Sequence, residues 1–290
     1  HFMSPLNEYR EKRIAAPNSY TLISFSITDN GERKLGIRYK NKNDQDVVTT
    51  DVNSYVMILP YNCPVNINNF SKLLSHYEEI HAEEFIEDNP SDLSKYGLDK
   101  PLRVVLQDEK ENAHSLTFGK TDEKGNVYTI YNEMPYVFTT NYAMYKAAKE
   151  VVPSDLIDDY INRYRIEEIS RIEYTADNKT YILRYGTDVD GKYTINDEET
   201  LKQALESAFV ALSELKMDSR LDEIENRSEV GIVTFIFKNG VEKTTKFYDY
   251  GKRKISVETP EGVYGILKEN SLEQITEYLT QLDKNPMSLP

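Results

Sequence analysis

The chain has 290 residues, 39% of them hydrophobic, with 35 Lys and Arg against 49 Asp and Glu, a net charge of −14 and one cysteine. A length of this order holds about two domains, and the apolar share suffices for a core, which excludes a wholly disordered chain. The acidic balance excludes binding to nucleic acid or anionic lipid through a basic face, and Cys63 alone excludes an internal disulfide, a zinc finger or a CxxC site.

The sequence contains no run of about 18 apolar residues, the length that spans a membrane as a helix. It has 22 Tyr, 10 Phe and no Trp, a bias toward half-buried β-sheet. Residues 1–19 read as a polar lead-in without the charged and apolar regions of a signal peptide. Strands follow at Tyr20 to Ile27 and Arg33 to Tyr39 around the Asn30-Gly31 turn, then at Asp46 to Thr50 and Ser54 to Leu59. After a proline-bearing loop, Phe70, Leu73, Leu74, Tyr77 and Ile80 recur at helical spacing, with Asn68 or Asn69 as cap. A turn of helix closed by Gly97 opens at Pro101 into four strand signals: Leu102 to Leu106, Ser115 to Phe118, Val127 to Tyr131 and Tyr136 to Thr139. Helical stretches follow at Asn141 to Glu150 and from Pro153, with Leu156, Ile157, Tyr160 and Ile161 inward.

The second half repeats this order. A hairpin surrounds Ala176-Asp177-Asn178, a short strand lies near Lys192 to Ile195, and a striped helix runs from Asp197 to about Met217. Strands are expected at Gly231 to Phe237, Lys243 to Tyr248, Lys254 to Glu258 and Val263 to Leu267. A last helix starts at Ser271, with Gln274 placed for a capping box. Leu102 to Leu106 answers Ile232 to Ile236 at an offset of 130, and Ser115 to Phe118 answers Thr244 to Phe247 at 129. The expected fold is therefore α+β, two tandem copies of one antiparallel-sheet-plus-helices unit: hairpin, helix, four-stranded meander, helix. Residues 20–152 form the first copy and 153–290 the second.

No catalytic, cofactor-binding or metal-binding residues emerge. His76 and His81 are five apart on an expected helix, which is not a ligand spacing, and His114 has no metal-binding neighbour. Cys63 lies in a loop with no identifiable base. Glu78, Glu79, Glu83, Glu84, Glu87 and Asp88 read as the solvated face of a helix. Asp188-Val189-Asp190-Gly191 has its glycine at the fourth position, where a calcium loop needs it at the sixth. Nucleotide-binding, zinc-protease and nucleophile-elbow motifs are missing.

The stretch from Asp92 through Tyr96-Gly97-Leu98 to Pro101, then a strand and Leu116-Thr117-Phe118-Gly119, resembles a bacterial domain-of-unknown-function family, number 4340. Tyr128 and Val137-Phe138 match its later strand-rich segment, and the likeness extends over most of residues 20–285. Tyr96, Gly97, Leu98, Pro101 and Gly119 are the motif residues. They have a structural reading: a left-handed cap at Gly97, a packed Tyr96 and a strand opened by Pro101. The resemblance implies an N-terminal membrane anchor, a position outside the cytoplasmic membrane and an association with ABC-transporter components of the gliding type. It carries no catalytic residues. On this reading the anchor is missing because the chain is cut at His1. The function expected is a non-enzymatic accessory or binding module that docks on membrane transporter components or an envelope complex. The alternatives are a solute, glycan or peptide binder with a Tyr-lined groove between the copies, and a carboxylate-based hydrolase.

Overall fold

A computed structural model describes residues 10–40, 55–110, 112–186, 191–225, 227–268 and 270–289. The expected strand at Asp46 to Thr50 and the Asp188–Asp190 segment lie outside these residues. The fold is α+β, with four α-helices and antiparallel strand pairing among the described residues. Residues 10–40 with 55–157 form one compact unit, and 158–289 form the other.

In the first unit the elements are β1 (Arg13–Ala15), β2 (Leu22–Asp29), β3 (Glu32–Tyr39), β4 (Tyr55–Leu59), β5 (Cys63–Pro64), α1 (Ile67–Ser75), β6 (Ile80–His81), β7 (Glu84–Asp88), β8 (Leu102–Asp108), β9 (Ala113–Thr121), β10 (Val127–Tyr131), β11 (Tyr136–Thr140) and α2 (Tyr142–Lys149). They build a nine-stranded sheet of order β5-β4-β3-β2-β8-β9-β10-β11-β7, with β1 and β6 paired separately. Alternation decides the faces. Phe25, Ile27, Val104, Leu106, Leu116 and Phe118 are buried on the helix side. Phe70 of α1 meets Phe25 edge-on at 5.6 Å, and Tyr145 of α2 meets Phe118 at 6.1 Å.

The second unit contains β12 (Ile169–Ala176), β13 (Lys179–Tyr185), β14 (Tyr193–Ile195), β15 (Glu198–Glu199), α3 (Lys202–Ser213), β16 (Met217–Leu221), β17 (Glu229–Phe237), β18 (Glu242–Gly251), β19 (Lys254–Glu258), β20 (Tyr264–Leu267) and α4 (Ser271–Lys284). Its sheet order is β15-β14-β13-β12-β17-β18-β19-β20-β16. Tyr174 and Tyr181 stack at 6.4 Å under α4, and their hydroxyls bond Thr276 Oγ1 (2.8 Å) and Thr280 Oγ1 (2.7 Å) on successive turns. Burial holds the Tyr174 phenol up at about 12, so it remains a hydroxyl.

Several local expectations need correction. The cap of α1 is Asn66, whose side chain accepts from the N–H groups of Asn68 and Asn69. Ile80 continues the helical spacing but pairs with Ala15 in β6. The acidic run is no helical face: Glu84, Glu87 and Asp88 lie on β7, which pairs with β11. His76 follows the end of α1, and His81 lies on β6. The stretch after Pro153 is a single 3₁₀ turn, after which Ile157 bridges to Val65 and Tyr160 to Lys216. The striped helix is shortened to Lys202–Ser213 because Glu198–Glu199 and Met217–Leu221 are drawn into the two sheet edges. No capping box forms at α4: Asn270 takes the left-handed conformation, and Ser271 Oγ donates backward to the Lys268 carbonyl.

In each unit an ion pair ties the first hairpin to the closing helix. Asp29, 7% exposed, accepts from Lys34 and from Lys149 Nζ of α2 at 2.9 Å. In the second unit the polarity is reversed, with Lys179 Nζ on Asp283 of α4 at 2.7 Å. The Lys34 hydrogen bond, helped by Lys149 and opposed by burial, holds the Asp29 carboxyl below its ordinary value. Asp29→Asn is expected to cost about 1–3 kcal/mol at neutral pH, toward the low end because both lysines can turn to water. A carboxyl lowered in the native state stabilises above its unfolded value and loses that contribution as pH falls. Denaturant titrations should therefore show the gap between wild type and variant closing below the ordinary aspartate value of 3.8.

Candidate functional site

One concavity of the first unit is a groove of about 580 Å³ between α1 and the start of β2. Ile67, Leu74 and Glu78 recur at spacings of seven and four, so α1 and the turn after it present one stripe to the groove. The opposite wall is the Ser19–Thr21 turn, which exists because Asn18 Oδ1 accepts from the Tyr20 N–H at 3.0 Å. That cap leaves the Tyr20 side chain 96% exposed. Ser19 Oγ donates to Glu78 Oε1 at 3.1 Å, and the Glu109 N–H donates to the Thr21 carbonyl at 2.9 Å.

Tyr39 and Tyr55 close the end where β3 and β4 pair, their rings edge-on at 5.4 Å. The Tyr55 hydroxyl donates to the Leu22 carbonyl at 2.7 Å. Burial, with Tyr39 alongside, pushes its phenol above the ordinary value, so it stays a neutral donor. Ile67 is 49% and Tyr39 36% exposed, so the rim is apolar and aromatic while Glu78 and Glu109 supply negative charge. Among the described residues that line the groove there is no lysine or arginine. A second groove, of about 750 Å³ in the other unit, carries two lysines, Lys216 and Lys268, beside three carboxylates, Asp159, Glu214 and Asp218.

Sequence reasoning missed the first groove because its residues are scattered from Tyr20 to Glu109. Only the tyrosine bias was visible. The expected motif residues lie elsewhere in the unit. Tyr96 ends a 3₁₀ turn, Ser94–Tyr96, and Gly97 caps it at φ +71. Tyr96, Leu98 and Val137 form a small cluster with Ile86, Tyr128 and Ile130, and the Tyr96 and Tyr128 rings are 4.9 Å apart. The Tyr96 hydroxyl donates to Glu87, which also pairs with Lys95. Gly119 in β9 lies directly under this turn: a Cβ there would fall on the Tyr96 carbonyl oxygen and within 3.1 Å of Leu98 Cγ. Pro101 stands apart from this contact, its carbonyl accepting from the Asn30 N–H at 3.1 Å.

Cys63 is buried, and His114 Nδ1 is hydrogen-bonded to the Tyr131 hydroxyl at 2.6 Å. Among the described residues no three His, Cys, Asp or Glu side chains converge as metal ligands. No described helix is long and apolar enough to cross a membrane.

The profile of the family described as Domain of unknown function (DUF4340) matches residues 56–231, from β4 of the first unit to the first residues of β17 in the second. The chain belongs to this family. No curated protein and no solved structure matches it.

Gly119→Ala is expected to destabilise by about 1–3 kcal/mol, because backbone rather than a flexible side-chain tip blocks the added methyl. Gly97→Ala should cost about 1–2 kcal/mol through its left-handed conformation. Chemical denaturation checks both, and a neutral Gly119→Ala would contradict the close seating of the turn on β9.

Proposed function

We propose that the protein is a non-enzymatic binding or accessory module, anchored outside the cytoplasmic membrane, that works with an ABC-transporter-type or envelope complex. The observation that carries the binding role is the open, tyrosine-rimmed groove of the first unit, whose side chains offer contact surface and no reactive constellation. The placement and the class of partner rest on what the resemblance read from the sequence implies; the family itself is described only as a domain of unknown function.

The two units are, on this reading, copies of one module. Support comes from the equal order of strands along the two sheets and from the hairpin-to-helix ion pairs of opposite polarity. Strand register supplies the alignment. Ile27 faces Val104 and Tyr174 faces Val233, so Val104 and Leu106 answer Val233 and Phe235 at an offset of 129. The offset of 130 read from the sequence would match buried positions to half-buried ones, since one residue of slip inverts a strand's faces.

A second reading, a solute or glycan binder, draws on the same groove, whose volume lies within the few hundred to 1,000 Å³ typical of small-ligand sites. A rise in Tm with glycan fragments alone would favour it.

The test is site-specific photocrosslinking in the native cells, with a benzophenone amino acid replacing Tyr20 in the anchored full-length protein. Adducts with a transporter permease or ATPase subunit are expected at this position and not at the exposed Tyr250 of the second unit. Equal capture of bulk envelope protein at both positions would refute the reading.

A further inference from the structure

The tight turns of this protein place two consecutive residues at positive φ, and Asn or Asp opens them: Asn30-Gly31, Asn132-Glu133, Asp177-Asn178 and Asn196-Asp197. Those residue types bear the left-handed conformation at least cost. The β18–β19 hairpin departs from the pattern. Gly251 pairs with Lys254, and the two residues between them are Lys252 (φ +53) and Arg253 (φ +65). Two long cationic side chains thus hold strained positions at the tip, with Lys254 beside them. Backbone strain of this kind collects where a side chain serves a function. Lys252, Arg253 and Lys254 are exposed, and among the described residues none of them enters an ion pair. Tyr250, 46% exposed, stands on the same tip, and the Asp249 carboxylate accepts from the Gly251 N–H at 2.8 Å. The hairpin at the same place in the first sheet, β9–β10, has the opposite character: Asp122, Glu123 and Lys124 form its tip, and Lys124 pairs with Glu84 at 2.7 Å.

We infer that the β18–β19 tip touches the surface of an anionic lipid bilayer, with Lys252, Arg253 and Lys254 among the headgroups and Tyr250 at the boundary between headgroups and acyl chains. The inference rests on the placement beside a membrane proposed above and gives the second unit its own point of contact there. Tyrosine flanked by lysine and arginine is the residue set that settles at such a boundary, the ring on its apolar side and the cations on the phosphates. An acidic peptide would satisfy the cations without needing the ring. The net charge of −14 excludes a basic face, but at physiological salt a charge is felt over about 8 Å, so a bilayer meets the tip before the body. Each cation near an anionic leaflet strengthens binding about fivefold, so three give roughly a hundredfold. That is too little to recruit a free chain and enough to hold a tethered one, whose tip is already concentrated at the surface.

The chain has no Trp, so Tyr250→Trp in the full chain supplies a single fluorophore. The chain is held by a histidine tag at its amino end on vesicles of brominated phosphatidylcholine with a little nickel-chelating lipid, with or without phosphatidylglycerol. Emission from Tyr250→Trp should be quenched on the phosphatidylglycerol vesicles and not on the others. Raised salt should relieve the quenching, and so should Lys252→Gln with Arg253→Gln and Lys254→Gln, which keeps the turn and removes its charge. Tyr142→Trp, at an exposed tyrosine of α2, should stay unquenched on both. Equal quenching at positions 250 and 142, or on the two kinds of vesicle, would overturn the inference, as would quenching that survives in the triple glutamine variant. Binding of soluble polyphosphate or polyglutamate at the tip with no quenching on phosphatidylglycerol would overturn it in favour of a soluble polyanion. A natively anchored protein whose tip ignores phosphatidylglycerol would refute the lipid contact and leave the placement standing. Quenching on phosphatidylglycerol, with cell fractionation finding the native protein in the cytoplasm, would refute the placement and leave the chemistry of the tip.

Discussion

The arrangement on which the rest of this structure depends is a buried tyrosine that reaches from a sheet to a helix and finds a partner for its hydroxyl there. Tyr174 and Tyr181 do so with two threonines of α4, and Tyr185 donates to the Leu205 carbonyl of α3 at 3.1 Å. Tyr77, beyond the end of α1, donates to the Met144 carbonyl of α2 at 2.9 Å, and Tyr278 of α4 donates to the Ala204 carbonyl of α3. A phenylalanine at these positions would bury a comparable ring but leave layer spacing to shape alone. The phenol adds a directional bond, and burial without that bond would cost more than the bond returns. In the second unit the helices α3 and α4 are thereby fixed in height and rotation over their sheet, and in the first unit Tyr77 ties the end of α1 to α2.

This explains the composition better than surface recognition alone does. Tyr77, Tyr96, Tyr131, Tyr164, Tyr174, Tyr181, Tyr185 and Tyr248 are all buried. Half-buried Tyr136, Tyr160, Tyr193 and Tyr264 serve as platforms for arginine and lysine, as do the buried rings of Tyr96, Tyr181 and Tyr248. The acidic residues that give the chain its charge take part in the same platforms. Asp88, Glu258 and Asp283 are each committed to a cation brought from a distant part of the sequence, and Glu87 to the nearby Lys95.

Much of the framework was legible in the sequence because it is written in local terms. The alternation in Leu22–Asp29 and Ile169–Ala176 is the alternation of burial in β2 and β12. Asn30-Gly31 and Asp177-Asn178 take the positive φ values that tight hairpins require. The missed pieces are those whose structure is decided by remote partners. Glu84–Asp88 is polar enough to pass for an exposed helix, and only β11, some fifty residues later, makes it a strand. Met217–Leu221 lies at the end of a helical stripe and is captured by β20. The groove was hidden for the same reason, since no local pattern joins Tyr20 to Tyr55, Glu78 and Glu109. The Tyr96-Gly97-Leu98 turn was legible, whereas its seating on Gly119 needed the register of β9.

The pairing of β1 with β6 has a mechanical meaning. Arg10 is wedged against Phe85 and Tyr136, the Ala82 N–H donates to the Lys12 carbonyl, and Arg13 faces His81. Tension applied through residues ahead of Arg10 would therefore enter the unit at β6 and at the edge strand β7. The interior strand β2 lies further along the chain and, bonded to β3 and β8, would carry load only after that clasp had let go. The protein could be tugged at its amino end without strain reaching the strands that shape the groove.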